Sequence, residues 1–407
     1  MNVLQLCKKF PFPVKDGEAL AVTHLAKALH ELGCTITLLT MNTHKHFLDT
    51  KKIPENFNHY KDIYFADLDN RLRLKDAFFN LFSSQSYHIS RFISPEFEKL
   101  LIKVLQHDTF DVIQLETLYL APYIPIIRKY SKAKIAMRAH NVEHEIWERI
   151  SNNTKSIPKK MYLSHLTKKL KKFEQAALQE YDLLIGITAK DLTTFKKMGY
   201  QGESVVVPIG IDRRDYHPYP KSFKRELSIS FIGSLDWRPN QEGLVWFLDK
   251  VWEKIADQYP DLKFNVAGRN TPKWLFDYHK KNVVMHGEIP NANRFINDHS
   301  VMIVPLLSGS GMRAKILEGM ALGKVVITTA LGLEGIDAAP GKEVLLANTP
   351  EEFQAQIEFC YRTSQATLFE IGKNARNFVT HKYDNLAVAK QLLTKYKLPS
   401  PEKVYQS

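Results

Sequence analysis

The sequence predicts an α/β protein built from two doubly wound, Rossmann-like domains that face a central cleft. Short apolar runs alternate with helical patterns in two successive series, and an aperiodic stretch separates the series. The chain has 407 residues, enough for two or three domains. Hydrophobic residues make up 44% of it, which excludes a disordered or fibrous chain.

The first series opens with a strand, a helix and a second strand. Residues 3–6 form an apolar run, apolar residues from Ala19 to Leu29 recur at helical spacing, Gly33 ends the helix, and residues 35–40 form the next run. Such a unit implies a parallel sheet with a right-handed crossover. Further strands are predicted at 111–115, 134–137, 181–187 and 204–207.

A stretch rich in proline and charge follows, and the second series starts after it. Its predicted strands are 227–232, 263–267, 283–286, 301–305 and 324–328, and its helices lie near 241–258, 313–322 and 350–362. We therefore expect an N-terminal domain at 1–210, a linker at 211–225 and a C-terminal domain at 226–375. Ligands of such sheets bind at the carboxyl ends of the strands.

Charge and cysteine content indicate which partners and which kinds of site the protein can have. The formal net charge is +12, which favours nucleotides, nucleic acid or an acidic membrane surface. Three scattered cysteines argue against a disulfide framework and a thiolate zinc site. No apolar run approaches the ~20 residues of a membrane-spanning helix, and the N-terminus enters a strand directly. We expect a cytoplasmic protein.

The segment 301–329 carries the most chemistry. A buried strand leads into the loop Ser308-Gly-Ser-Gly311, which opens into a helix; glycines allow close approach of a ligand, and the helix start favours phosphate. Arg313 and Lys315 add cationic donors, and Glu318 lies where a carboxylate can bind a ribose diol. The alternative is a capping loop with solvated charges.

With Met320-Ala-Leu-Gly-Lys324 following it, this segment resembles the C-terminal signature of retaining glycosyltransferases of family 4, whose fold is called GT-B. The resemblance implies that Glu318 holds the donor ribose. The family has a second glutamate eight positions earlier, which falls here at Ser310. Backbone amides of the loop that includes Ser310 and Gly311 are the available substitute.

The resemblance covers nearly the whole chain. Phe231 to Asn240 matches the first strand-to-loop turn of the C-terminal domain, with Gly233 followed by a serine where the family has arginine. The diphosphate is therefore assigned to Arg238, Arg313 and Lys315. The resemblance also implies that Arg269 and Glu334 belong to the donor site. It further implies that residues 376–396 form a terminal helix that packs back on the first domain. For Glu334, an exposed turn acid is an equal alternative.

In the N-terminal domain, the family resemblance implies two further site residues. Gly17 stands in the loop that faces the acceptor and the donor phosphates, where the family often has paired glycines. His140 follows the strand 134–137 and is placed in the catalytic cleft, near the transferring sugar, so His140, Arg313 and Lys315 are the predicted catalytic residues. The implied donor is a UDP- or GDP-linked sugar, with no metal and no other cofactor.

Two metal-binding patterns compete with this interpretation. His140-x-x-Glu143-His144 resembles a zinc-protease motif, but it begins at a strand end and lacks an obvious third ligand. Asp67-x-Asp69 resembles the metal-binding motif of the other major glycosyltransferase fold. It does not follow a convincing buried strand, so we predict a polar loop there.

Residues Lys155 to Lys172 include seven lysines and no acid. Leu166, Leu170, Phe173 and Ala177, in this segment and just after it, form an apolar stripe that is suited to packing on the domain. The segment is either the solvated face of an ordinary helix or a peripheral contact with an anionic membrane at the inner face of the plasma membrane.

The sequence therefore predicts a retaining, hexosyltransferase-type enzyme. It would move a sugar from a nucleoside-diphosphate sugar to a glycan or lipid-linked acceptor in cell-surface polysaccharide or glycoconjugate biosynthesis. The alternative from another class is a catalytically silent GT-B module that binds a glycan or nucleotide. A sugar-nucleotide epimerase of the same fold is disfavoured by the block from Ser308 to Glu318, and a nucleic-acid binder by the diffuse charge.

Overall fold

The chain divides into two compact units. The first comprises Met1–Ile209 and the chain from Asn385 on, and the second comprises Gly210–Asp384. This computed structural model describes residues 1–14, 16–44, 47–49, 57–71, 85–224, 226–309 and 311–398, together with residues 53, 80 and 83.

The first unit contains a parallel sheet of seven strands. They are β1 (Asn2–Cys7), β2 (Thr35–Thr43), β3 (Asp62–Leu68), β4 (Val112–Leu115), β5 (Lys134–Ala139), β6 (Leu183–Gly186) and β7 (Glu203–Val206). Their spatial order is β3-β2-β1-β4-β5-β6-β7. Strands β4, β5 and β6 are buried along their whole length, as is typical of parallel strands covered on both faces. Their sequences are mainly apolar, and the polar exceptions are Gln114 in β4 and Lys134 and Arg138 in β5.

Helices cover both faces of this sheet, and an apolar core lies on each face. They are α1 (Gly17–Glu31), α2 (Tyr87–Ser90), α3 (Pro95–His107), α4 (Ile124–Tyr130), α5 (Glu143–Asn152), α6 (Ile157–Ala177) and α7 (Ala189–Lys197). Helix α1 begins at Asp16, whose carboxylate accepts a hydrogen bond from the Ala19 amide, and it ends before Gly33 at a φ of 84°.

The second unit contains a parallel sheet of six strands. They are β8 (Ser228–Ser234), β9 (Lys263–Arg269), β10 (Val283–Gly287), β11 (Val301–Val304), β12 (Val325–Thr328) and β13 (Leu345–Leu346), in the order β10-β9-β8-β11-β12-β13. The change of direction at β8 and β11 places the carboxyl ends of these two neighbouring strands at the switch point where such sheets bind ligands.

The helices of the second unit surround one large aromatic-rich core. They are α8 (Arg238–Phe247), α9 (Glu253–Gln258), α10 (Lys273–Phe276), α11 (Ala292–Asn297), α12 (Ala314–Ala321), α13 (Pro350–Arg362) and α14 (Gln365–Lys382). Helices α8 and α9 are joined by a π-helical turn, Leu248–Trp252. A last helix, α15 (Asn385–Lys397), belongs to the first unit.

The predicted α/β class with two Rossmann-like domains is confirmed, and three local predictions differ from the structure. Asp67 lies within strand β3 instead of a loop, because its neighbours pair with β2 at the sheet edge. The predicted helix 376–396 is divided at Tyr383–Asp384, where the Tyr383 carbonyl accepts a hydrogen bond from the Ile211 amide. The predicted linker 211–225 lies in the second unit, with Tyr216 and Phe223 buried.

Over the described part of the chain, no helix combines the length and apolar character needed to cross a membrane.

Candidate functional site

In the second unit, the site begins with Lys315, a half-buried lysine of helix α12 whose amine lies beside the end of strand β8. The Lys315 ammonium donates a hydrogen bond of 2.8 Å to Asn240 Oδ1 and lies 5.2 Å from the centre of the Phe231 ring. A Cβ atom at Gly233 would lie 2.8 Å from Lys315 Nζ, so any larger residue would displace the amine from this position. Burial and the nearby Arg313 charge lower the pKa of Lys315 to about 7.

The neighbouring strand places a second cation at the same edge. Strands β8 and β9 pair so that Gly233 faces Gly268 and Ser234 faces Arg269. Arg269 Nη2 donates to Ser234 Oγ at 3.1 Å, and Ser234 Oγ lies 2.7 Å from Asp236 Oδ1. The serine at the family's arginine position thus connects Arg269 to the loop after β8.

Arg238 is directed differently from Lys315. Its Nε donates to Glu242 Oε1 at 2.6 Å, one turn along helix α8, and two-thirds of its side chain is exposed. Glu242 Oε2 in turn accepts a hydrogen bond of 2.9 Å from Ser308 Oγ. Arg238 therefore lies on the rim, joined through Glu242 to the loop that follows β11.

Two glycines of the loop after β11 have a left-handed backbone. Gly309 and Gly311 have φ values of 108° and 80°, a region that side chains disfavour. A Cβ atom at Gly309 would lie 3.1 Å from Arg313 Nη2, so the guanidinium folds over the loop. Arg313 is also the residue from which helix α12 begins. Ser310 lies outside the described residues.

Glu318 lies on α12 beside a tyrosine that sequence reasoning missed. The Tyr216 hydroxyl donates to Glu318 Oε1 at 3.3 Å, and burial raises the pKa of Glu318 although Tyr216 and Lys315 oppose the shift. Tyr216 is buried, and its backbone carbonyl accepts a hydrogen bond of 2.9 Å from Arg376 Nη1. The signal for Tyr216 was present in the sequence as an aromatic residue in an otherwise polar stretch.

Glu334 lies in the loop after β12, and its backbone N–H donates to Leu331 at 3.3 Å. This loop and the loop after β11 are tied together by a hydrogen bond of 2.7 Å from Thr329 Oγ1 to the Leu306 carbonyl. Of the predicted donor residues in the second unit, the contacts above connect Gly233, Arg269 and Lys315 with the β8 loop, and Arg238 with the β11 loop.

In the first unit, His140 is bound to a buried glutamate that sequence reasoning also missed. His140 Nε2 lies 2.9 Å from Glu116 Oε2, just beyond the ends of strands β5 and β4. Arg138 Nη1 lies 3.5 Å from the same oxygen. Burial favours protonation of Glu116, but Arg138 and His140 outweigh it, so the pKa of Glu116 is lowered.

Gly17 begins helix α1 in a charged loop. Asp16 accepts a hydrogen bond of 2.7 Å from Lys9, and Glu18 lies 3.3 Å from Lys8. Burial raises the pKa of Glu18, but Lys8, Lys9 and His140 together bring it down to about 2. His140 therefore lies close enough to this loop to interact electrostatically with Glu18.

In the two metal-like motifs, the side chains bind other protein side chains. His144 Nδ1 lies 2.6 Å from Glu174 Oε2, whereas His140 faces Glu116, so the histidines of His140-x-x-Glu143-His144 bind different carboxylates. Asp67 accepts a hydrogen bond of 3.0 Å from Asn42. Within the described residues, no three His, Cys, Asp or Glu side chains converge as a metal site.

This fold and site define a two-domain Rossmann-like protein of the GT-B class. Sucrose-phosphate synthase from Thermosynechococcus elongatus aligns over 98% of both chains with a TM-score of 0.71 and 16% identity. HepE from Anabaena, in complex with UDP-glucose, aligns over 97% of this chain and 99% of its own with a TM-score of 0.66 and 13% identity. The predicted GT-B fold is confirmed.

Residues 226–363, which lie in the second unit, match the family model for glycosyl transferases group 1. A protein from Klebsiella pneumoniae, described as an uncharacterized 44.6 kDa protein in the cps region, is 23% identical over 392 residues. That alignment spans 93% of this chain and 95% of the relative. The glycosyltransferase resemblance is confirmed, and membership of family 4 stays a prediction.

Proposed function

We propose that the protein is a retaining glycosyltransferase that uses a nucleoside-diphosphate sugar as donor. The observation that carries this proposal is the Lys315 ammonium, enclosed by Gly233, Asn240 and Phe231 at the switch point of the second sheet. A cation lowered in pKa by burial gains most from an anionic ligand, because the ligand replaces the solvation that the cation has lost.

The diphosphate would be held by Lys315, Arg313 and the amides of the glycine loop. As the bond between the sugar and the diphosphate breaks, negative charge accumulates on the leaving group. Fixed cations and helix-start amides stabilise that charge without reorganising. Arg269 and Arg238 would act from the two sides of the site, Arg269 through Ser234 and Arg238 from the rim.

The nucleoside would be held through its ribose by Glu318. The Tyr216 hydroxyl bonds one carboxylate oxygen and so leaves the other oxygen for a sugar diol. UDP is the first nucleotide to test, because HepE, which shares the fold, binds UDP-glucose. Glu334, in the loop tied to the glycine loop, is proposed as a further donor-site residue.

The first unit would bind the acceptor, with Gly17 facing it and His140 acting near the transferring sugar. We propose that the acceptor is a glycan or a lipid-linked molecule and that the transferred group is a hexosyl group. Polysaccharide biosynthesis is supported by the relative in the cps region of Klebsiella pneumoniae.

The donor site is tested by thermal-shift binding of UDP, GDP, ADP and CMP. One diphosphate should stabilise the wild type and not Glu318→Ala, whereas Glu370→Ala, an exposed acid of the same unit, should bind normally. If none of the nucleotides stabilises the wild type, the proposal of a donor site fails.

Turnover separates an enzyme from a catalytically silent module. The full chain is incubated with sugars of the nucleotide that binds, and release of free nucleotide is followed with and without a lipid-linked glycan acceptor. Retention is checked by the anomeric configuration of the product in proton NMR. Tight nucleotide binding without turnover of any sugar would favour the silent module.

A peripheral membrane contact through helix α6 is proposed as part of the same function. Lys155, Lys159 and Lys160 are exposed beside Ile157 and Met161, whose side chains are 71% and 70% exposed. Leu166 and Leu170 are buried, so the stripe packs on the domain while the start of the helix presents lysines with apolar side chains to solvent. This combination suits an anionic lipid surface.

Sedimentation with phosphatidylglycerol vesicles tests that contact. The combined variant Lys159→Gln, Lys160→Gln and Met161→Ser should bind less than the wild type, and Lys196→Gln with Lys197→Gln on α7 should not. Equal sedimentation of all three proteins would refute the contact.

A further inference from the structure

A buried polar network surrounds Glu116 at the carboxyl ends of strands β1, β4 and β5. The side chains of Glu116 and Arg138 are each only 1% exposed, and that of His140 is 9% exposed. Glu116 Oε1 accepts hydrogen bonds from Gln5, at 2.5 Å, and from Gln114. His140 is thus the member of the network that reaches the surface.

The donors around Glu116 are themselves fixed. Arg138 Nη1 donates to the Ala21 carbonyl at 3.0 Å, and Gln5 Oε1 accepts a hydrogen bond of 2.8 Å from Tyr60. Gln114 Oε1 accepts one from Tyr396 on α15. The carboxylate is therefore held on both oxygens by groups that other elements anchor, so its position does not depend on His140.

This arrangement sets the tautomer of His140. An ionised carboxylate only accepts hydrogen bonds, so Nε2 of His140 must carry a proton to bond Glu116 Oε2. The other ring nitrogen, Nδ1, is then the atom that can meet a substrate.

We propose that Glu116 is a positioning residue that holds His140 in one tautomer and orientation for its action on the transferring sugar. The inference rests on the proposed function of His140. It predicts that charge at Glu116, and not only its volume, sets the turnover rate. A carboxylate that orients a histidine serves this purpose in other enzymes.

The test is Glu116→Gln in the full chain. Four donor side chains surround the position, so the new amide must turn its own NH₂ towards either His140 and Arg138 or Gln5 and Gln114. We expect kcat for sugar transfer to fall about 100-fold, the scale of a misplaced reacting group, with the nucleotide Kd unchanged. Glu116→Asp, which keeps the charge, should recover part of the rate.

Two comparisons separate positioning from a structural role. Glu174→Gln makes the same change at the other buried glutamate that binds a histidine, and it should lower stability without the same loss of kcat. In a His140→Ala background, Glu116→Gln should cost no further activity. Equal losses in both backgrounds, or wild-type kcat in Glu116→Gln, would overturn the proposal.

Nitrogen-15 NMR of the histidines gives a readout independent of turnover. The wild type should show His140 protonated at Nε2, and Glu116→Gln should change that tautomer or its pH titration. An unchanged His140 signal overturns the proposal even where kcat falls. If the tautomer responds while the wild type turns over no nucleotide sugar, the positioning is upheld and the proposed function fails.

Discussion

Lys315 carries its ammonium into a site where burial and Arg313 both disfavour the charged form, which lowers its pKa to about 7. Below pH 7 the lysine is charged before the nucleotide arrives. Above pH 7, a diphosphate that binds Lys315 as proposed must bring a proton with it, so affinity should fall as pH rises, by up to tenfold per pH unit. For folding the sign is opposite: between pH 7 and about 10.4 the unfolded lysine keeps its proton, so stability rises with pH.

Calorimetric titration with UDP at pH 7, 8 and 9 measures this dependence. Lys315→Gln should bind more weakly at pH 7 and show no comparable slope at higher pH. The same slope in both proteins would assign the proton to another group.

Tyr216 and Glu318 allow a second test at the scale of single residues. Tyr216→Phe removes a hydroxyl that lies 3.3 Å from the carboxylate. A hydrogen bond of this kind contributes about 1 kcal/mol, so affinity for UDP should fall about fivefold. If Glu318 binds the ribose, the affinity for 2′-deoxy-UDP should fall less than that for UDP when Tyr216 is replaced by phenylalanine.

Tyr219→Phe, three residues further along, is the matched control for that measurement and should leave the Kd of both nucleotides unchanged. Equal losses for UDP and its deoxy analogue in Tyr216→Phe would argue that Tyr216 supports the fold and does not orient Glu318.

Among the elements, helix α8 packs closely against the start of the loop after β11 at Gly243. A Cβ atom there would overlap the Pro305 carbonyl oxygen, a backbone atom that cannot move aside alone. Gly243→Ala should therefore cost about 1–3 kcal/mol, the range for overpacked sites. It should also weaken UDP binding, because Pro305 leads into the glycine loop.

Thermal unfolding with and without UDP measures both effects. Lys250→Ala, at an exposed position just beyond α8, is the control and should change neither value. A Gly243→Ala protein with wild-type Tm would mean that the helix can shift without strain.

The elements that sequence patterns predicted well are the buried strands. Strands β6 and β11 are covered on both faces, so their apolar runs are continuous and easy to recognise in the sequence. Strand β3 was missed because it lies at the sheet edge and is half-buried, which leaves a mixed pattern. The break before α15 was missed because its cause is the contact of Tyr383 with Ile211, far away in the chain.

The same distinction applies to the site. Glycines and cations clustered in one loop, such as Gly309 and Arg313, could be predicted because neighbours in sequence are neighbours in space. Glu116 could not, because its partners His140 and Gln5 come from different strands. A glutamate directly after a buried strand was the available signal, the same signal that identified His140.

At the scale of the whole molecule, the chain returns to its first unit through α15. Val388, Ala389, Leu392 and Tyr396 lie in the same core as residues of α1 and β2. Asn385 Nδ2 donates to the His24 carbonyl at 2.6 Å, and Lys134 Nζ donates to the carbonyls of Lys395 and Leu398 at 2.9 Å each. The first unit is therefore complete only when the end of the chain has docked.

We expect Leu392→Ala to destabilise the first unit selectively. Leu392 is fully buried, and such truncations cost about 2–5 kcal/mol. Hydrogen exchange followed by mass spectrometry should show faster exchange in peptides of the first sheet and unchanged protection in the second. Lys390→Ala, exposed on the same helix, should exchange like the wild type. Equal acceleration in both sheets would mean that the two units unfold as one, and that docking of α15 stabilises the entire chain.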